Sequence, residues 1–242
     1  MAKKKVGEIK KQKLVDIIFC VPGSHTSMMW VWAWTDMIVK CLQNKLRIAF
    51  FTRYNCNIYY VRSMCLGGNN QLSPKQKPFN GKIDYKYICW IDTDTIPSFE
   101  GLQRLIKQDV EVVSGIYKMQ NNKDFATVIN MDWDYYYKNK SLFKFLSDQE
   151  VINFYQTHKD SKDIKDFLIE VDYTGMGFML VKKGVFEKLE FPWFKPVEFK
   201  MQSDVIDFAS EDSSLCLRLK EKGVKIHVDL GVRCGHLKEM IL

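Results

Sequence analysis

Asp92 and Asp94 stand either side of Thr93, directly after the apolar run Tyr87-Ile-Cys-Trp-Ile91. Carboxylates two residues apart just past a buried strand point to one side of the chain. Held together they repel, and both stay ionised at modest cost only with a cation between them. Hard divalent ions, Mn2+ or Mg2+, take oxygen ligands and complete their shells with substrate phosphates. The pair therefore points to diphosphate binding through a bridging metal. The competing account is an ordinary polar loop whose aspartates cap the helix starting at Ser98.

The elements around the pair give it a place. Leu14–Val21 is β-branched and nearly all apolar, as a buried parallel strand should be, and Pro22-Gly23 ends it. A helix capped by Ser24 or Ser27 should run to Gln43. Leu46–Thr52 is expected as a strand and Asn57–Leu66 as a helix closed by Gly67-Gly68. The proline- and asparagine-bearing stretch Asn69–Lys82 is expected as a loop. Tyr87–Ile91 is the third strand, Ser98–Gln108 a helix with Pro97 at its start, and Val110–Ser114 the fourth strand. This alternation predicts an α/β fold with a mostly parallel central sheet flanked by helices. Ligands of such sheets bind beyond the carboxyl ends of the strands, where Asp92 and Asp94 fall. Further on, Phe125–Asn130 and Trp133–Lys138 are strand-like, and Leu142–Asp166 is polar enough for a helical excursion or lid. Phe167–Asp172 and Phe178–Val181 are expected as strands, Glu211–Lys222 as a helix ended by Gly223, and Lys225–Val228 as a last strand.

Composition narrows the class. The 242 residues, 46% hydrophobic, suit one α/β domain over residues 14–242. Of the net charge of +7, the first 13 residues supply six lysines (Lys3, Lys4, Lys5, Lys10, Lys11, Lys13) less Glu8, or +5. The remaining +2 is too little to argue for a nucleic-acid surface on charge alone, and residues 1–13 are expected to form a mobile basic tail. The seven cysteines are scattered without C-x-x-C spacing, which fits a reducing cytoplasm better than secretion. No transmembrane segment is expected: Met28–Leu42 is oily but holds Asp36 and Lys40.

The run strand, Asp-x-Asp, Pro, helix resembles the GT-A class of glycosyltransferases, in particular the small phage, viral and bacterial members of the glycosyltransferase-2-like group. Gly175-Met-Gly-Phe-Met-Leu-Val-Lys-Lys183, Phe191-Pro-Trp-Phe194, Ser210-Glu-Asp212 and Cys234-Gly-His236 follow in the family's order, so the resemblance spans about Val15 to Leu237. It implies a GT-A fold and a nucleotide-diphospho-sugar donor, a UDP-sugar first. Asp94 should bind the metal that bridges the donor's diphosphate. Asp92 should contact ribose or sugar, and the metal through water, with Thr93 between them in the donor site. His236 should be the remaining protein ligand of the metal. Pro22 matches the place of the base and ribose, and Arg62 the arginine that grips the nucleotide, although Val61 and Ser63 flank it here. Gly175 and Gly177 should let backbone approach the donor sugar, with a plain hairpin turn as the alternative. Asp212 matches the general base of the inverting members; capping of its helix by Glu211 and Asp212 is the simpler account.

Three further expectations concern aromatic and loop residues. Trp30, Trp32 and Trp34 should serve packing, Trp193 and Phe194 the acceptor rim, and Met201–Asp207 should order on substrate. Rival classes are a haloacid-dehalogenase-like phosphatase, which Ile96 and the motif's place on the third strand speak against, and a non-catalytic nucleotide-sugar-binding module. A glycan or lipid-linked sugar is the expected acceptor. A modified base in DNA is the runner-up, on the basic tail and the pI near 8.9.

Overall fold

The computed structural model describes residues 14–200 and 206–238. The expected basic tail, and residues 201–205 of the segment expected to order on substrate, lie outside them.

The chain first lays down β1 (Val15–Pro22), α1 (Met28–Gln43), β2 (Ile48–Arg53), α2 (Ile58–Cys65), β3 (Tyr85–Ile91), β4 (Thr95–Ile96), α3 (Phe99–Gln108) and β5 (Val112–Tyr117). Local chemistry starts each helix: Ser27, Asn57 and Ser98 accept from the backbone N–H of Trp30, Tyr60 and Gly101. The second half adds β6 (Thr127–Val128), α4 (Trp133–Lys138), α5 (Asp148–Thr157), β7 (Leu168–Val171), β8 (Tyr173–Thr174), β9 (Phe178–Lys182), β10 (Glu198–Lys200), β11 (Ile206–Phe208), α6 (Glu211–Glu221) and β12 (Ile226–His236).

The main sheet has eight strands, in the order β2-β1-β3-β9-β5-β12-β4 with β7 also on β12. Strands β2, β1, β3, β5 and β12 run one way, while β9, β4 and β7 oppose them. The mixed α/β class with a large, mostly parallel sheet is as expected; the neighbour of β3 is not. Antiparallel β9 sits between β3 and β5, because its fully apolar Phe178–Val181 can be buried on both faces there.

Alternation along each strand sends side chains to two cores. From β1, Ile17, Phe19 and Val21 meet Trp30 and Met37 of α1 and Leu102 and Leu105 of α3. Ile18 and Cys20 face Cys65 and Leu66 at α2 and Leu215 and Leu219 of α6.

Four expectations are corrected. Trp133–Lys138 is helical: Asp132 caps it through Tyr135 N–H (2.9 Å), and Trp133 and Tyr136 bury their rings against Phe143 and Phe199. Tertiary packing there overrides the strand preference of aromatic residues. Trp193 and Phe194 do not form a rim; both are fully buried, with Phe194 edge-on to Trp90 at 5.3 Å. Of the tryptophans on α1, Trp30 is buried and stacked on Trp34 at 5.3 Å, but Trp32 is exposed and is not a packing residue. The last strand extends well beyond Val228, with a register shift between Asp229 and Arg233, and its far end carries His236 to the motif.

Candidate active site at the end of the third strand

The segment Asp92–Asp94 leaves β3 at its carboxyl end and turns at once, with Thr95 N–H donating to the Asp92 carbonyl (3.1 Å). The same carbonyl accepts from Trp30 Nε1 (3.0 Å), and the Thr93 carbonyl from Thr26 Oγ1 (2.5 Å). The start of α1 thus fixes the backbone of the motif. Gly23, just after Pro22, presses against it: a Cβ there would meet Thr93 Cγ2 at 2.9 Å, and its φ of 142° suits glycine alone.

The two carboxylates have different surroundings. Asp92 faces Arg62, whose Nη1 lies 3.0 Å from Oδ1 and whose Nη2 donates to Oδ2 at 3.2 Å. Arg62 also donates to Glu211 Oε1 from Nε (3.3 Å) and Nη2 (3.2 Å), and it lies 5.7 Å from the Trp90 ring centre. Its guanidinium is buried, so it reaches the motif's carboxylate and offers little of itself to solvent. Burial alone would depress this guanidinium, but Asp92 and Glu211 outweigh it and hold it above its ordinary value. Glu211 is pushed up, by burial first and then by Asp212 and Asp92, against the pull of Arg62. Removing one partner from such a buried cluster costs about 3–5 kcal/mol, because a charge is left uncompensated.

Asp94 is more open. Its Oδ2 is 3.2 Å from His236 Nε2 and 2.7 Å from Lys238 Nζ. Burial pushes its carboxyl up, but hydrogen bonds from His236 and Lys238 outweigh that and hold it at about 2. Pairing of β4 with β12 makes this contact, setting His236 opposite Thr95. His236 Nδ1 donates to the Lys118 carbonyl at 2.5 Å, which fixes the ring and leaves Nε2 facing the carboxylate. Nε2 thus faces the same Asp94 oxygen that takes the Lys238 ammonium. Of the two expected ions, one carboxylate and one imidazole fit Mn2+ better than the harder, oxygen-seeking Mg2+, and the remaining ligands would come from water and substrate phosphates. Among the described residues, no three His, Cys, Asp or Glu side chains converge as a metal-binding group.

Two openings adjoin the motif. A cleft of about 580 Å3 is lined by His25, Thr26, Ser27, Thr93, Asp94 and Lys238. A groove of about 240 Å3 beyond Pro22 runs between Gly23, Trp34, Phe50 and Thr52, sharing His25, Thr26 and Thr93 with the cleft.

Asp212, in the first turn of α6, takes three hydrogen bonds. Oδ1 accepts from Ser210 Oγ and from Ser213 N–H (2.8 Å), and Oδ2 from Tyr173 Oη (2.9 Å). Burial, and Asp212 after it, push the Tyr173 phenol well above its ordinary value, so it stays a donor. Gly175 and Gly177 allow a close approach by Tyr117. A Cβ on Gly175 would fall 1.9 Å from Tyr117 Oη, and one on Gly177 2.6 Å from Cε1. Tyr117 then packs edge-on against His236, ring centres 4.9 Å apart.

The structure thus brings Pro22, Arg62, Asp92, Thr93, Asp94, Gly175, Gly177 and His236 to one end of the sheet, with Asp212 tied in through its neighbour Glu211. Tyr117, Tyr173, Lys238 and the pairing role of Glu211 were missed from sequence. Only Lys238 carried a signal, as a cation two residues beyond the candidate histidine.

No family model and no curated protein sequence matches the chain. Solved structures do match. A197 from STIV shares a TM-score of 0.53 and 16% identity, with 93% of this chain and 87% of that chain covered. The catalytic domain of Drosophila β1,4-galactosyltransferase 7, in complex with xylobiose, is similar with a TM-score of 0.46 and 10% identity, covering 93% of this chain and 71% of that chain. The likeness to A197 shows a shared fold; identities this low carry nothing about activity.

Proposed function

We propose that this protein is a metal-dependent glycosyltransferase of the GT-A type. It would move a sugar from a nucleotide-diphospho-sugar, a UDP-sugar first, to the hydroxyl of a glycan acceptor. The observation that carries this reading is the Asp94–His236 pair, oriented by the Lys118 carbonyl, whose Asp94 lines a cleft that shares His25, Thr26 and Thr93 with the Trp34–Phe50 groove.

In this reading the groove beyond Pro22 takes the base and ribose, and Asp92, held by Arg62, meets the ribose or sugar. Asp94 and His236 hold Mn2+ or Mg2+, which when bound offsets the charge that builds on the leaving diphosphate. Asp212 takes the proton of the acceptor hydroxyl as that oxygen attacks the anomeric carbon. Oδ2 suits this step, because it accepts one hydrogen bond where Oδ1 accepts two. A phosphatase reading would need Asp92 as a free nucleophile, whereas Arg62 engages both of its oxygens.

The test is thermal. With UDP present, Mn2+ should raise the melting temperature of the wild type, because it binds only the folded state. Asp94→Ala and His236→Ala should each abolish the rise. An undiminished rise in both variants removes the metal site. A donor screen reading nucleoside diphosphate release then separates UDP-, GDP- and dTDP-sugars.

A further inference from the structure

A further opening, of about 620 Å3, has His236 and Lys238 in its lining together with Lys118, Arg233 and Asp148. Neither Thr93 nor Asp94 lines it, so it is separate from the cleft that would hold the diphosphate, and the two meet at Lys238. Its charge is uneven. Three permanent cations line it against one carboxylate, and two of the three already have partners. Lys118 is bridged to Asp148, and Lys238 donates to Asp94 at 2.7 Å. The third, Arg233, is exposed, and among the described residues its guanidinium meets no carboxylate and no hydrogen-bond acceptor.

Arg233 is nevertheless held in place. Its Cζ lies 4.7 Å from the centre of the Tyr155 ring, and Tyr155 is fixed in turn by donating from Oη to the Leu230 carbonyl at 2.7 Å. A guanidinium laid on an aromatic face is steadied by that face and keeps the N–H donors of its edge free. Such a fork matches two oxygens of a carboxylate or phosphate at once. Arg233 and His236 are three residues apart on β12, a span of about 10 Å in extended backbone. One small molecule can therefore touch both. The donor's diphosphate is not that molecule, because Arg233 lies outside the lining of its cleft.

We propose that this groove seats the acceptor, and that the acceptor is a glycan carrying a phosphate or carboxylate group held by Arg233. The inference rests on the transferase reading above and narrows its substrate class. The full chain, with Mn2+ and UDP present to fill the cleft, would be titrated by calorimetry with galactose, galactose 6-phosphate, glucuronate and inorganic phosphate. At least one of the two acidic sugars should bind about tenfold more tightly than galactose. Arg233→Gln should remove that advantage, and Arg233→Lys should keep part of it. Asp148→Asn takes away the one carboxylate of the lining and should tighten binding of the acidic sugar by about twofold or more. Because Arg233 is exposed and unpaired, Arg233→Gln should leave the melting temperature, and its rise with Mn2+ and UDP, as in the wild type. Galactose binding as tightly as both acidic sugars overturns the proposal, as does an advantage that survives Arg233→Gln. Inorganic phosphate binding as tightly as galactose 6-phosphate also overturns it, by leaving the sugar no part in the contact. Any of these results with the Mn2+ and UDP rise intact sinks this inference and leaves the transferase reading standing. A wild type without that rise refutes the transferase reading itself.

Discussion

Asp212 accepts from Ser210, Ser213 and Tyr173 before any substrate is near, so its carboxylate is held in one orientation. A group held this way for proton transfer should matter to turnover more than to donor binding. Asp212→Asn is expected to lower kcat by about 10^2–10^4-fold with donor affinity little changed. Near-normal turnover would return Asp212 to the role of a helix-start residue. Glu211→Gln should behave differently, because Arg62 would lose one of its two counter-charges. It should cost stability, and it should disturb donor KM through Asp92; a change in kcat alone would contradict the clamp.

At the scale of elements, Asp16 ties the start of β1 to Arg47 (Nε 2.9 Å) and Lys86 (Nζ 2.9 Å). Arg47 first, with Lys86, holds its carboxyl well below the usual range against the effect of burial. A carboxylate lowered by folding stabilises the protein above its unfolded pKa, about 3.9, and that contribution is lost as pH falls toward the folded value. Asp16→Asn should therefore cost about 1–3 kcal/mol at neutral pH, and urea unfolding should show the gap from wild type closing below about pH 4. A gap that persists unchanged in acid would assign the cost to geometry. Elements were legible in the sequence where one strand or helix carried its own pattern. Leu14–Val21, Tyr87–Ile91 and the capped helices had apolar runs and polar stops. Strand β4 has two residues and no pattern of its own, yet its pairing with β12 places His236 at Asp94. The insertion of β9 beside β3 depends on a partner far along the chain, which alternation cannot register. Trp193 and Phe194 sat among prolines, which suggested a loop surface; the loop turns its rings inward.

Across the whole molecule, those rings join the core shared by β3 and α6, below the site. Trp193→Ala is expected to lower stability by about 3–5 kcal/mol, measured by denaturant unfolding. A loss under 1 kcal/mol would mean that the loop collapses to refill the space. Strand β12 links this core to the cleft, since its Ile226 and Val228 are buried and its last residue, His236, contacts Asp94. Just past it, Lys238 holds the oxygen of Asp94 that also faces His236. If Asp94 holds a divalent cation as proposed, the Lys238 ammonium occupies the same oxygen beforehand and the two would compete for one place. Loading the cleft should release that amine and make it reactive. Acetylation of Lys238 by an amine-directed reagent, read by mass spectrometry, should rise when Mn2+ and UDP are added, while a lysine remote from the cleft such as Lys225 stays constant. An unchanged yield at Lys238 would mean that the cation settles elsewhere.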